Sequence, residues 1–519
     1  MPTWSEAAEP SPRVWRRRFA ALLTGACLLG TGAAALSQAG PPSHGPMVGA
    51  ITTDSAAVWA RWQGPGTAHI TYKPTGAAEA IDGPVVEISE AHDFTGRFAL
   101  AGLKANTTYS YTLQFTDALG EVSRNLPSYF RTPVKLPTSL SFSVLGDFMT
   151  RQRASKALRM AAMPRPHFVL IVGDLDHSDP ARLPNTQDYY PIEQAQTVLG
   201  NLRQMRRLML DPSRPLGADF VKAFVTSKTA QQLQIPLYYA WDDHDFCMNG
   251  ANAGCPFGDL ARSVYRDYFL PAADNGLREG QLCGDTGDWQ SFSHGNLASF
   301  FLLDARSNRD AATGRLLGEC QKQWLLDGLA RSTAVWKFIV SPITFNPTTK
   351  PWDAWGAFPS ERAELLNFIQ EHQIANVIVL SADIHSGGAL DDGRNAGLPE
   401  ASAPHANMPS TWVDTYCRLD PMDSRLLVSA PGTWMLGGFI EPNLQREPVA
   451  CLGMDYSKKR IALLDQPPFP LPGADSAGYL KVDLTSNAVT IRVMDADGHL
   501  KQGYAADGTP ADMKLELFR

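Results

Sequence analysis

Five apolar runs in this chain stop at an acidic residue: Ser-Val-Leu-Gly-Asp147, Leu-Ile-Val-Gly-Asp174, Tyr-Ala-Trp-Asp-Asp243-His244-Asp245, Leu-Leu-Asp304 and Val-Leu-Ser-Ala-Asp383-Ile-His385. In an open parallel sheet the side chains that meet a ligand stand just beyond the carboxyl ends of the strands, so separate strands can bring such acids to one place. Gathered carboxylates lose water and repel one another unless a multivalent cation neutralises them. The pattern therefore predicts an α/β sheet protein with an acid-rich centre at one sheet edge, suited to metal-assisted hydrolysis.

From Leu140 onward, apolar strands alternate with polar, helical-looking segments, the rhythm of a layered α/β fold. Phe168-Val-Leu-Ile-Val172 is continuously apolar, as a strand covered on both faces is. The segments 321–329 and 361–369 carry apolar residues at helical spacing, each ahead of a strand, Trp336 to Val340 and Val377 to Leu380. Residues 478–484 and 488–493 read as a closing hairpin with its turn at Ser486-Asn487. Residues 44–133 differ: short runs rich in β-branched and aromatic residues, such as Thr67-Ala-His-Ile-Thr-Tyr72, predict a small all-β sandwich. Tyr109 and Tyr111 fall on one face of a strand, and their setting resembles the tyrosine corner of fibronectin type III and related immunoglobulin-like domains.

Arg16-Arg17-Arg18-Phe19 precedes an apolar stretch from residue 20 to 36 that ends at Ser37-Gln38-Ala39, so residues 1–39 read as a cleaved export signal with a twin-arginine look, the alternative being an uncleaved anchor. That places the chain in the periplasm or outside the cell, with no stable membrane anchor once the signal is removed. Net charge is -7, and about -9 without the arginine-rich leader, which argues against nucleic acid as the main partner. Of seven cysteines, one lies in the leader; an even six remain, as expected for disulfides in an oxidising compartment. Cys247 with Cys255 would staple the loop after the Asp243 cluster; Cys283 with Cys320 and Cys417 with Cys451 are the other pairings considered.

In order, Gly146-Asp147, Gly173-Asp174, Trp241-Asp242-Asp243-His244-Asp245, Leu303-Asp304-Ala-Arg306-Ser-Asn-Arg309 and Ala382-Asp383-Ile-His385 resemble the blocks of the alkaline phosphatase D (PhoD-like) branch of the calcineurin-like metallophosphoesterases. The resemblance covers roughly residues 44 to 500; Trp-Asp-Asp-His-Asp is its specific part, since Gly-Asp alone occurs in ordinary turns. It implies an immunoglobulin/fibronectin III-like sandwich over 44–133 and a catalytic domain over 138–519 with a layered αββα metallophosphatase core. It also implies a phosphate ester substrate and two divalent or mixed-valence metal ions, held by Asp147, Asp174, His177, Asp243, Asp383 and His385.

Each block carries a chemical reading beside a plainer one. Asp147 and Asp174 either ligate and bridge two ions ~3.5 to 4 Å apart or cap following helices. Asp243 stands where the wider family has an asparagine ligand, which implies a second-metal role; Asp242 or Asp245 would orient His244, which between acids keeps a raised pKa and suits proton donation to the leaving oxygen. Asp383 and His385 alternate, so a persisting strand would point both at one ion. Arg306 and Arg309 either present guanidinium forks to phosphate or form ion pairs with Asp304 or Asp310.

The chain departs from relatives at three points. His177 stands where purple acid phosphatases have a tyrosine ligand, which removes the phenolate that favours ferric iron and leaves Mn, Zn, Fe(II) or a Ca-containing pair. No cysteine adjoins Asp147, and no histidine follows Val340-Ser-Pro-Ile-Thr344, so that ligand is missing or comes from Asn346, His294 or water. The expected function is an exported phosphoesterase in which a metal-bound hydroxide attacks phosphorus and His244, with Arg306, stabilises the departing group. The alternatives are an inactive metallophosphatase-fold binding protein and a phosphodiesterase of phospholipase D-like specificity, with residues 180–234, bearing Arg203, Arg206, Arg207 and Arg214, as a candidate lid.

Overall fold

The computed structural model describes residues 40–149, 154–163, 165–225, 233–270, 287–347, 353–385, 387–394, 396–407, 461–463, 477–504 and 510–519. The leader, Cys283, Cys417 and Cys451 lie outside them. Gln38–Arg519 forms one compact unit, and among the described residues no helix is long and apolar enough to cross a membrane.

The first part is all β. Strands β1 (His44–Gly49), β2 (Ser55–Arg61), β3 (Gly66–Pro74), β4 (Ile81–Ile88), β5 (Thr95–Ala101), β6 (Thr108–Asp117), β7 (Val122–Arg124) and β8 (Ser128–Arg131) make two sheets, β1-β2-β5 and β4-β3-β6-β7 with β8 on β6. Burial alternates along β6, and Tyr109 and Tyr111 both face the sandwich core, where Tyr109 Oη accepts from the Lys104 amide at 2.8 Å. Other contacts join this sandwich to the rest of the chain. Trp59 Nε1 donates to the Asp267 carbonyl at 2.8 Å, and Gln234 bridges the Pro46 carbonyl and Tyr111 Oη.

The second part runs β9 (Ser139–Leu145), α1 (Lys156–Ala161), β10 (Phe168–Val172), α2 (Ala195–Leu210), α3 (Pro215–Phe220), β11 (Leu237–Ala240), α4 (Asp243–Phe246), α5 (Gly258–Tyr268), β12 (Gln290–His294), β13 (Ala298–Leu302), α6 (Glu319–Arg331), β14 (Trp336–Val340), α7 (Pro359–Glu371) and β15 (Val377–Ser381). It closes with β16 (Ala389–Asp392), β17 (Pro399–Ser402), β18 (Ile461–Leu463), β19 (Gly478–Thr485), β20 (Ala488–Asp495), β21 (Gln502–Tyr504), β22 (Pro510–Asp512) and β23 (Lys514–Phe518). Among the described residues one sheet is ordered β11-β10-β9-β19-β20-β23 and the other β12-β13-β14-β15-β17-β16-β18-β21-β22.

Side-chain parity explains how these sheets stack. On β10, Phe168, Leu170 and Val172 pack with Phe300, Phe338 and Leu380 of the facing sheet. Val169 and Ile171 point the other way, onto α1, α2 and α5. Ile339 and Val379 pack outward under α6 and α7. The result is the expected αββα layering, with the all-β sandwich ahead of it. Within residues 180–234, α2 is part of the core rather than a lid: Val198, Leu202, Met205 and Met209 are buried in the same core as β10, because the helix has its own apolar face.

One buried acid secures the loop after β14. Glu400 on β17 accepts from the Phe345 and Asn346 amides, both at 2.7 Å, and from Ser381 Oγ at 2.6 Å. Burial pushes its carboxyl up from about 4.5 to about 7, against the hydrogen bonds that favour the charged form. A carboxyl whose folded pKa is raised stabilises the fold fully at low pH and loses that contribution as pH climbs to about 7; here the loss is about 3 kcal/mol between pH ~4.5 and ~7. Chemical unfolding of Glu400→Gln across this range is expected to show a correspondingly flatter pH dependence than wild type; an unchanged slope would contradict it.

Candidate metal centre

The parallel strands β9, β10 and β11 lie side by side and release their chains into turns at the same edge. Gly146 and Gly173 precede the first two acids for a steric reason. A Cβ on Gly146 would meet the Val172 carbonyl oxygen at 2.7 Å, and Gly173 has φ +79° with the Asp242 side chain 2.8 Å from where its Cβ would be. Beyond them Asp147 (φ 54°) and Asp174 (φ 46°) themselves adopt the left-handed conformation, which for a residue with a Cβ costs of order 1 to 3 kcal/mol and persists only where surrounding packing imposes it. Neither caps a helix: Ser155 caps α1.

β15 ends at Ser381, so Asp383 and His385 are not neighbours on one strand face. Both are left-handed (φ 60° and 49°), and this turn, rather than strand alternation, brings them back to the site, with His385 Nε2 3.4 Å from Asp383 Oδ1 and 3.8 Å from Asp147 Oδ1. His177 closes the circle: its Nε2 is 3.2 Å from Asp174 Oδ2 and 3.3 Å from His385 Nε2, while the Phe148 carbonyl holds Nδ1 at 3.0 Å.

Three groups of donor atoms, each lying within 4.8 Å of one another, share Asp174: Asp147 with His177 and His385, Asp243 with His244, and Asp242 with Asp383. The six residues expected as ligands all fall within these groups, which also contain His244 and Asp242. Asp174 is fully buried, and neither of its carboxylate oxygens has a well-formed hydrogen bond; Asp242 Oδ2 is in the same state. Burial opposes the charge on Asp174, but His244, His177 and His385 outweigh it and hold its carboxyl below the usual range. Burial instead drives Asp242 well above that range, with Asp243 and Asp383 adding to the effect and Arg306 opposing it.

The orienting partner of His244 is neither Asp242 nor Asp245. Asp179, itself left-handed at φ 50°, takes His244 Nδ1 at 2.6 Å, and since a carboxylate only accepts, Nδ1 carries the proton. Burial disfavours charge on His244, yet Asp174, Asp243 and Asp179 raise its pKa well above the ordinary value. Asp245 has another task. It accepts from the Leu175 and Asp242 amides at 3.1 Å each and pairs with buried Arg206 at 2.9 Å, tying the Asp174 and Asp243 turns together. The Cys247–Cys255 disulfide closes the adjoining loop, whose Gly250 and Asn249 amides donate to Asp243 at 2.6 Å and Asp179 at 2.8 Å.

Arg306 does not face a phosphate. Its guanidinium is wholly buried and paired with Asp242 and Asp353, not with Asp304 or Asp310, and lies 3.7 Å from Asp243 and 3.8 Å from Asp383. Arg309 also pairs with Asp353 at 2.8 Å. Asp304 accepts from the backbone of Arg306, Ser307 and Asp288 and is a turn-builder. His294 stacks on Phe168 at the opposite end of the strands and does not replace the missing histidine, while Asn346 Nδ2 donates to Asp391 at 3.1 Å. Arg306→Met, which strands two buried carboxylates, is expected to lower stability by about 3 to 5 kcal/mol in urea unfolding; a loss under 1 kcal/mol, by order of magnitude, would remove Arg306 from this role.

Asp179 and Asp353 belong to none of the sequence blocks, and Asp242, expected only as an orienting partner of His244, groups instead with Asp174 and Asp383. Asp179 follows Gly173-Asp174 closely enough that its clustering with His177 was a visible signal; Asp353 sits in no motif.

Residues 156–397 match the family of PhoD-like phosphatases. Alkaline phosphatase D of Bacillus subtilis (strain 168) is 30% identical over 193 residues, 31% of this chain and 33% of that protein, so the match spans about a third of the curated relative. Among solved structures, PhoD superposes with a TM-score of 0.57 at 16% identity, covering 92% of this chain and 90% of the other. A purple acid phosphatase from yellow lupin (Lupinus luteus) seeds gives 0.51 at 12% identity, covering 91% and 74%. At these identities the two structures share the fold.

Proposed function

We propose that this chain, PhoD-like in sequence over residues 156–397, is an exported, metal-dependent phosphoesterase acting on phosphate mono- or diesters. Asp174 carries the reading: a fully buried carboxylate without a well-formed hydrogen bond at the junction of three donor groups. Leaving such a group unsatisfied is costly, and a cation between the carboxylates removes both the desolvation cost and the repulsion. The match to PhoD-like phosphatases and to a protein named alkaline phosphatase D supports phosphate esters as the substrate class. Export rests on the arginine-led apolar leader.

The donors are carboxylate oxygens and imidazole nitrogens with no sulfur, a set that fits Mn, Zn, Fe or Ca. Asp147, His177 and His385 with Asp174 would hold one ion, and Asp243, Asp242 and Asp383 with Asp174 a second. Bound there, the ions would neutralise phosphate charge and lower the pKa of water. The remaining work belongs to side chains already in place. Asp179 fixes the ring of His244, leaving Nε2 to donate a proton to the departing oxygen. Arg306 acts at one remove, steadying Asp242 without touching substrate.

Elemental analysis of the purified protein, with turnover of p-nitrophenyl phosphate and bis-p-nitrophenyl phosphate by the same sample, tests this. About two metal equivalents with hydrolysis is the expected result, and the better substrate separates monoesterase from diesterase. No metal and no turnover after reconstitution would overturn the proposal in favour of a binding protein.

A further inference from the structure

A cavity of about 490 Å³ lies where the all-β part meets the layered core, bounded by the proline-rich connector between them. It is remote from the metal centre: Phe168 at the start of β10 lines it, whereas Asp174 stands beyond the other end of the same strand, roughly 20 Å away at the rise of a β-strand. Its lining is charge-biased. Arg131, Arg165, His167 and His294 contribute to it, and among the described residues no aspartate or glutamate does, in a chain whose net charge is -7.

The two arginines are held in place without being neutralised. Arg131 Nη2 donates to Asn106 Oδ1 at 2.6 Å and Arg165 Nη1 to the Leu233 carbonyl at 2.9 Å, and among the described residues neither forms an ion pair with a carboxylate. His294 supplies a separate observation. Only 8% exposed, it stacks on Phe168 (5.1 Å between ring centres) and meets Phe292 and Phe300 edge-on, yet its imidazole makes no hydrogen bond among the described residues. Its ring nitrogens are not sealed off by the protein and open onto the cavity, where a bound group can pair with them. Burial lowers its pKa to about 3, so it offers one donor and one acceptor and no charge.

We infer that this cavity is a binding site for a small organic anion: an acidic head between the Arg131 and Arg165 guanidiniums and a flat body reaching His294. Guanidiniums are weakly hydrated and recognise planar or tetrahedral oxyanions through forked donors, and a concave site with a few convergent polar groups is the usual form of a small-ligand pocket. The inference does not depend on the hydrolase reading.

Calorimetric titration of the intact protein with naphthalene-2-sulfonate, which is not a phosphate ester, tests it. Expected is one saturable site, with affinity about tenfold lower for the neutral naphthalene-2-sulfonamide and for the Arg131→Ala/Arg165→Ala double variant. His294→Phe, which keeps the ring packing, is expected to weaken binding several-fold, and Asp174→Asn to leave it unchanged. No saturable binding by wild-type protein, or binding indifferent to the charge of the ligand and to the two arginines, would overturn the inference. The arginine side chains lie at the surface, so equal melting temperatures for wild type and double variant are expected and make a lost affinity attributable to the site.

Discussion

Asp174→Asn is expected to lose most of the bound metal and to lower turnover of p-nitrophenyl phosphate by about a thousandfold or more, the several kcal/mol that metal-ion catalysis supplies. All three donor groups contain this residue, so no other single substitution touches as much of the centre. The effect extends to stability. Chelation of the wild-type protein leaves Asp147, Asp174, Asp242, Asp243 and Asp383 crowded without a cation, and the melting temperature is expected to fall, since a ligand held at about 100 times its dissociation constant contributes about 2.7 kcal/mol. In Asp174→Asn the chelator is expected to change the melting temperature little, because little metal remains to remove. Elemental analysis and thermal melts with and without chelator check both parts; wild-type metal content and turnover in the variant would end the metal-centre reading.

The second large effect belongs to His244 and its partner. His244→Asn is expected to lower kcat by about 10²- to 10⁴-fold with little change in KM, as removal of a proton donor does. Asp179→Asn leaves the imidazole without its fixed acceptor, and the loss is expected to be about 10- to 100-fold, with the basic limb of the pH profile moved downward because the carboxylate no longer supports the charged ring. The two side chains act as one unit, so the double variant is expected to be no slower than His244→Asn alone. Steady-state kinetics over pH distinguishes this from a purely structural role. Additive losses, or an unmoved pH profile in Asp179→Asn, would show that the 2.6 Å contact serves folding rather than proton transfer.

Much of the architecture was legible because it follows from local periodicity. Continuous apolar runs such as Phe168–Val172 specify strands covered on both faces, and the alternation in β6 specifies a strand with one buried side. The spacing in α6 and α7 specifies helices on the outer layers. Site geometry was less legible because it depends on residues distant in the chain. Arg306 between Arg-rich and acidic neighbours reads equally as a phosphate fork or a pair; the structure gives it partners 64 and 47 residues away and closes it off from solvent. Arg206, which read as part of a lid, is buried against Asp245, since only the packed fold shows which face of α2 turns inward.

Acidic residues placed at successive strand ends are a property of the sequence alone, and with parallel strands they must emerge at one edge of the sheets. That much determined a polyanionic centre in an α/β core, together with a histidine in the block after β11. Tertiary structure decided how the side chains meet there. Asp147, Asp174, Asp179, Asp383 and His385 all take left-handed backbone conformations, which the local chain disfavours and no spacing rule foretells. Packing between turns imposes them, through contacts such as Gly146 against the Val172 carbonyl and Asp245 bonded to the Leu175 and Asp242 amides. Local sequence could specify where each strand stops, but the direction each acid faces was set by neighbours that only the folded chain brings together.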